Sequence, residues 1–149
     1  MAKKSTRFKS VVRYTESKED KAKQDLAASQ RDLLNHQQQL QSLIQYREEY
    51  AQQFIATGQR GMSAASLQDY HGFLNKLKQA IDQQQRLVEV AEDTLEVKKK
   101  AWLKTRTDSQ KVNLLLDKYI LDEQSRLDKA EQKESDERSQ RNGGHGLTG

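Results

Sequence analysis

The stretch Leu67–Val97, "LQDYHGFLNKLKQAIDQQQRLVEVAEDTLEV", decides the fold. Leu67, Tyr70, Leu74, Leu77, Ile81, Val88, Ala91 and Leu95 follow one another at alternating steps of three and four, with Gln84 on the same track. That spacing is a heptad repeat, the mark of a helix that buries one narrow seam against another helix. The a positions run on through Trp102, Ser109 and Leu116, and the d positions through Lys98, Thr105, Val112 and Tyr119.

A second run precedes it. Its a positions are Val12, Glu19, Leu26, Leu33, Leu40, Arg47 and Phe54. Its d positions are Phe8, Thr15, Ala22, Ser29, His36, Leu43 and Tyr50. Neither run needs a stutter, so both fit a left-handed coiled coil. Between them "ATGQRGMSAAS", Ala56–Ser66, breaks the pattern. Gly58 suits a C′ cap because glycine takes the left-handed conformation freely. Ser63 or Ser66 suits the following N-cap, and Ser66 with Asp69 has the spacing of a capping box.

The expected fold is therefore all-α: a long antiparallel two-helix coiled-coil hairpin. Helix 1 covers about Thr6–Ala56, a tip loop 57–63, and helix 2 about Ala64–Arg138. The whole of 1–141 forms one unit, and the glycine-rich residues 142–149 form a disordered, flexible tail. Facing residues should have numbers summing to about 120. Helix 1 would be ~75 Å long and helix 2 ~110 Å, so helix 2 overhangs from about residue 115 without an intrachain partner. Acid-before-base pairs, Asp122 with Arg126 and Glu134 with Arg138, support that overhang at about 0.2–0.5 kcal/mol each.

Composition agrees with a thin seam. Of 149 residues, 34% are hydrophobic and 32% charged, with no proline and no cysteine. This is too little apolar material for a thick core. Lacking cysteine, the chain forms no disulfide, and a reducing compartment is its natural context. No apolar run reaches the ~18 residues that span a bilayer. The start, "MAKKSTRFKSVVRY", is basic without a hydrophobic stretch behind it, unlike a secretory signal; a mitochondrial presequence shares its Arg, Ser and Lys flavour. The net charge of +4, from 26 Lys+Arg against 22 Asp+Glu, is a mild excess.

Catalytic chemistry finds little support. Two helices with one seam offer no pocket in which groups converge. His36, His71 and His145 are far apart and form no His-x-x-x-His pair, so no metal site is expected. "GQRG" lacks the Lys-Ser/Thr of a phosphate loop. The expectation is a non-enzyme with no catalytic residues, cofactor or metal.

What the chain does offer is surface for partners. The seam carries Glu19, His36, Arg47, Gln84, Lys98 and Ser109, residues that lower stability while fixing register. Gln39, Leu43, Tyr46 and Tyr50 line one side of helix 1, and Phe73, Leu77, Ala80 and Gln84 repeat that step on helix 2. Tyr50 is a d residue and core packing explains it. Tyr46 and Phe73 lie at g, beside the seam, where they either fold over it or widen it into a protein-binding surface. At the other end Leu114, Leu115, Leu116, Tyr119, Ile120 and Leu121 surround their helix, which calls for burial. The basic residues Lys3, Lys4, Arg7, Lys9 and Arg13 share that end. Together they suit insertion into an acidic or apolar ring or groove.

The block "LIQYREEYAQQF…YHGFLNKLKQAIDQQQ", Leu43–Gln85, resembles the hairpin tip of the FliJ family of bacterial flagellar export proteins. The specific part is Y-x-x-x-Y, Tyr46 and Tyr50, followed across a short linker by Y-x-x-F-x-x-x-L, Tyr70, Phe73 and Leu77. Chain length, heptad layout and basic start agree over nearly the whole chain.

The resemblance implies a stalk-like coiled coil of the type III export apparatus. Its partners would be the hexameric export ATPase FliI and the cytoplasmic domain of the export gate FlhA, with export chaperones and the ATPase regulator FliH beside them. The stalk would couple ATP hydrolysis to export. The site would be cytoplasmic, at the flagellar base, reaching the inner membrane through partners. The gate-facing side in the family matches Gln39, Leu43, Tyr46, Tyr50, Phe73, Leu77 and Ala80; where the familiar member has His, this chain has Gln84. The ATPase would meet the terminal end, with Arg7, Phe8, Arg13, Leu115, Tyr119 and Ile120 as candidates. Two other classes stay open from the residues alone. One is a generic coiled-coil chaperone or scaffold. The other is a nucleic-acid-binding arm, against which the Glu and Asp interspersed through both helices count.

Overall fold

A computed structural model describes residues 3–58 and 60–146, with 144–146 described by backbone alone. It consists of two helices, α1 at Lys4–Gly58 and α2 at Ala64–Gly146. Both exceed the lengths expected from sequence. No proline interrupts them, and i,i+4 contacts carry α2 onward: Gln124 to Asp128 at 3.3 Å, Gln132 to Asp136 at 3.2 Å, and Glu134 to Arg138 at 2.7 Å. Of the expected tail 142–149, residues 142–146 continue the helix and 147–149 lie outside the described residues.

The turn corrects the expected cap. Gly58 is the last residue of α1, and the left-handed residue is Gly61, at φ +89°. The reason is that tight turns follow the helix directly, Arg60 N–H donating to Thr57 O at 3.0 Å and Gly61 N–H to Gly58 O at 3.2 Å. The chain therefore needs its reversal only at Gly61, where a side chain would be strained. Ser63 caps α2: the Ser66 N–H donates to its Oγ at 3.2 Å, and the two hydroxyls meet at 2.9 Å. Ser66 thus stands three residues after the cap rather than at it, and its hydroxyl accepts from the Ser63 hydroxyl instead of from a backbone N–H as in a capping box.

The chain divides into two compact units, one of Lys21–Leu103 and one of the flanking segments up to Asp20 and from Lys104. The first is an antiparallel helical hairpin. Its seam buries Leu77 (6% exposed), Ile81, Val88 and Ala91 on α2. Across from them Ala22, Leu26, Ser29, Leu33, His36, Leu40, Leu43, Tyr50 and Phe54 are half-buried. His36 meets Gln84 and Tyr50 meets Tyr70, both on the expected sum of 120. Two seam positions stay outside, Arg47 and Leu67. Tyr46 and Tyr50 both contact Phe73, leaving Arg47 between them exposed, and Phe54 is covered by the Tyr70 ring rather than by Leu67.

In the second unit the start of α1 packs on α2 from Lys104 onward. Ser5, Val12 and Ser109 are buried, and Phe8 meets Tyr119 edge to face at 5.2 Å. Facing numbers here run seven or eight above 120, as in Phe8 with Tyr119 and Ser5 with Glu123. A shift of one whole heptad keeps the same side chains in the seam. This corrects the expected start of the overhang. α1 accompanies α2 to Glu123, not to about 115, and the exposed continuation of α2 is 124–143.

Candidate functional site

Heptad position explains the surface near the turn. The d residue Tyr50 lies in the seam, tilted on Phe73 with ring centres 4.4 Å apart and stacked on Tyr70 at 5.3 Å. Phe54 and Tyr70 stack at 3.5 Å. The g residues meet beside the seam: Tyr46 stands edge-on to Phe73 at 5.8 Å and 83°. Such a pair contributes about 0.5–1.5 kcal/mol beyond area burial. Tyr46 is thus held by Phe73 on one side while 48% of it stays in solvent.

Next to it Asn35, Gln38, Gln39, Ser42, Leu43, Tyr46 and Gln84 line an open hollow of about 720 Å³. The eight residues expected on this side divide by depth. Gln39 and Tyr46 are exposed, Leu43, Tyr50, Phe73 and Ala80 half-buried, and Leu77 and Gln84 buried at 6% and 8%. Leu77 and Gln84 therefore support the surface from beneath. The Gln84 amide N–H₂ points at His36 Nδ1 at 3.1 Å and donates to His36 O at 3.0 Å. An amide nitrogen only donates, so Nδ1 accepts and the imidazole proton sits on Nε2, 3.6 Å from Asp32 Oδ1. Sequence reasoning missed this pair. The available signal was two polar d residues whose numbers sum to 120.

The terminal surface lies within the second unit. Lys4 Nζ sits 5.9 Å from the centre of the Tyr119 ring. Ser5 grips Glu123 twice: its N–H donates to Oε1 at 3.1 Å and its Oγ–H to Oε2 at 2.6 Å. The hydroxyl first, and the backbone N–H second, hold the Glu123 carboxyl below its usual range; Lys3 and Arg126 act in the same direction against desolvation. The first turn of α1 has no acid of its own, so a carboxylate from α2 complements its positive end. Lys3, Lys4, Arg7, Tyr119, Asp122, Glu123 and Arg126 surround a hollow of about 310 Å³.

Of the candidates for this end, Arg7, Phe8 and Tyr119 are brought together, while Arg13, Leu115 (39%) and Ile120 (44%) are exposed. Leu114 and Leu121, at 69% each, are the barest apolar residues here. Glu123 was not legible in the sequence, because an acid at an a position reads as a seam defect until its hydroxyl partner is known.

Among the described residues no three of His, Asp or Glu come together as a metal-holding group. Among them, too, no helix is long and apolar enough to cross a membrane. No curated protein and no solved structure matches the chain. The family model described as flagellar FliJ protein matches residues 3–147. A match over almost the entire length, on a two-helix chain with this aromatic turn region, means that the chain belongs to the FliJ family of flagellar export components.

Proposed function

We propose that this chain is a non-enzymatic, stalk-like element of the flagellar type III export apparatus that links the export ATPase to the membrane export gate. One observation carries the reading: Tyr46, fixed edge-on by Phe73, remains 48% exposed beside an open hollow in a chain otherwise dominated by polar surface. A pre-positioned aromatic of this kind serves as an anchor for a protein partner at low entropic cost. Gln39, Leu43, Tyr46, Tyr50, Phe73 and Ala80 present the surface to an FlhA-like cytoplasmic domain, over Leu77 and Gln84. The terminal surface, with Arg7, Phe8, Arg13, Leu115, Tyr119 and Ile120, engages an FliI-like hexamer. Export chaperones and an FliH-like regulator are further partners. The chain works in the cytoplasm at the flagellar base, peripheral to the inner membrane through these contacts, and turns ATP hydrolysis into export mechanically rather than through a reacting side chain.

Titrating an FlhA-type cytoplasmic domain with the full chain and with Tyr46→Ala tests this. Removal of an anchoring aromatic weakens binding by roughly 30-fold or more, corresponding to about 2 kcal/mol. Circular dichroism of the variant should match the parent. Equal affinity of the two proteins would remove the basis of the assignment.

A further inference from the structure

A smaller pocket of about 270 Å³ lies nearer the turn, on the side of the hairpin that carries the Tyr46 surface. One heptad beyond Tyr46 the g position of α1 is Gln53, and one heptad before Phe73 the g position of α2 is Ser66. Both line this pocket. Its apolar wall is formed by Tyr50, Phe54, Met62 and Tyr70, with the Tyr70 ring stacked on Phe54 at 3.5 Å and on Tyr50 at 5.3 Å. Thr57 and Asp69 complete it.

The charge here is one-sided. Asp69 is the one charged residue of the lining, and among the described residues it makes no ion pair. Arg47, Arg60, His71 and Lys76, the basic residues nearest in sequence, form no part of the wall. A second feature has the same sign. Gln53, Phe54 and Thr57 stand at the end of α1, where the helix dipole is negative and the last turn carries no base. The start of α2, by contrast, already has its cap, the Ser66 N–H donating to Ser63 Oγ. Aromatic rings, a carboxylate and an uncompensated helix end together suit a cation on an apolar stem.

We propose that this pocket receives a lysine or arginine side chain of the protein that docks on the Tyr46 surface. The inference rests on that docking, because Tyr50 lines the pocket and its ring centre lies 6.4 Å from that of Tyr46. A neutral or acidic side chain would leave Asp69 without a counter-charge.

Two experiments on the full chain separate the pocket from the docking. In the first, NMR follows the Met62 methyl group and the Tyr70 ring during titration with N-acetylarginine amide and with N-acetylcitrulline amide, its neutral counterpart. The arginine compound should shift both signals saturably, the citrulline compound should not, and Asp69→Asn should weaken the response. Equal response to the two compounds, no response, or a response untouched by Asp69→Asn overturns the inference. In the second, an FlhA-type cytoplasmic domain is titrated with the parent, Tyr46→Ala and Asp69→Asn. Asp69→Asn should weaken binding roughly fivefold and lessen its dependence on salt, whereas Tyr46→Ala should weaken binding and keep the parent's salt dependence. If Tyr46→Ala weakens binding while Asp69→Asn changes neither affinity nor salt dependence, the inference is overturned and the docking stands. If the domain does not bind the parent, the docking is what fails, and the first experiment alone judges the pocket.

Discussion

Glu123 shows how much one side chain can do at the end of a helix. Its carboxylate accepts both polar hydrogens of Ser5 and stands at the positive end of α1. Since these bonds lower the folded-state pKa of Glu123, their stabilisation is present above the unfolded glutamate range and is lost as pH falls through the folded value. The Ser5 amide resonance should therefore titrate below the ordinary glutamate range, and Glu123→Gln should flatten that titration. Gln84 and His36 pose a different test. Gln84→Ala leaves the half-buried His36 acceptors without their donor and should cost about 1 kcal/mol. His36→Leu/Gln84→Leu replaces both with apolar groups and should equal or exceed the parent in urea unfolding. The Gln84–His36 pair was signalled by two polar d positions on the facing register, whereas Ser5 with Glu123 was not, because a heptad pattern records which positions face the seam but not which polar atoms meet there.

At the scale of elements, the two helices were almost fully legible, as was a serine cap opening α2, here Ser63, while the glycine at which the chain reverses was not. All expected seam positions except Arg47 and Leu67 are buried or half-buried, because apolar periodicity and burial have one common cause. The cap went to Gly61 instead of Gly58 because hydrogen bonds after the helix, invisible in composition, decided where the chain reverses. Gly61→Ala should accordingly cost about 1–2 kcal/mol, while Gly58→Ala, in helical conformation with open space at its Cβ, should be neutral or stabilising by up to about 1 kcal/mol. Thermal unfolding of the two variants separates these outcomes. Ser63→Ala should cost about 0.5–2 kcal/mol through loss of the α2 cap.

For the whole molecule, the register that sequence reasoning carried unchanged from the turn holds within Lys21–Leu103 but not in the unit of the termini. Equal seam phase at a one-heptad offset makes the two registers indistinguishable in sequence. The consequence is a sharper division of α2. Truncation after Gln124 removes residues that are exposed throughout 125–143 and should change stability by less than about 0.5 kcal/mol. Truncation after Leu114 removes Tyr119 from Phe8 and should cost about 1–3 kcal/mol from that aromatic pair.

The same truncations reach the proposed link to the export ATPase, which is tested most directly by the hydrolysis rate of a purified FliI-type ring. The rate should rise with the full chain and return to the level of the ring alone with the chain ending at Leu114, which lacks Leu115, Tyr119 and Ile120. If the full chain neither raises hydrolysis nor promotes assembly of the ring, the stalk function is contradicted.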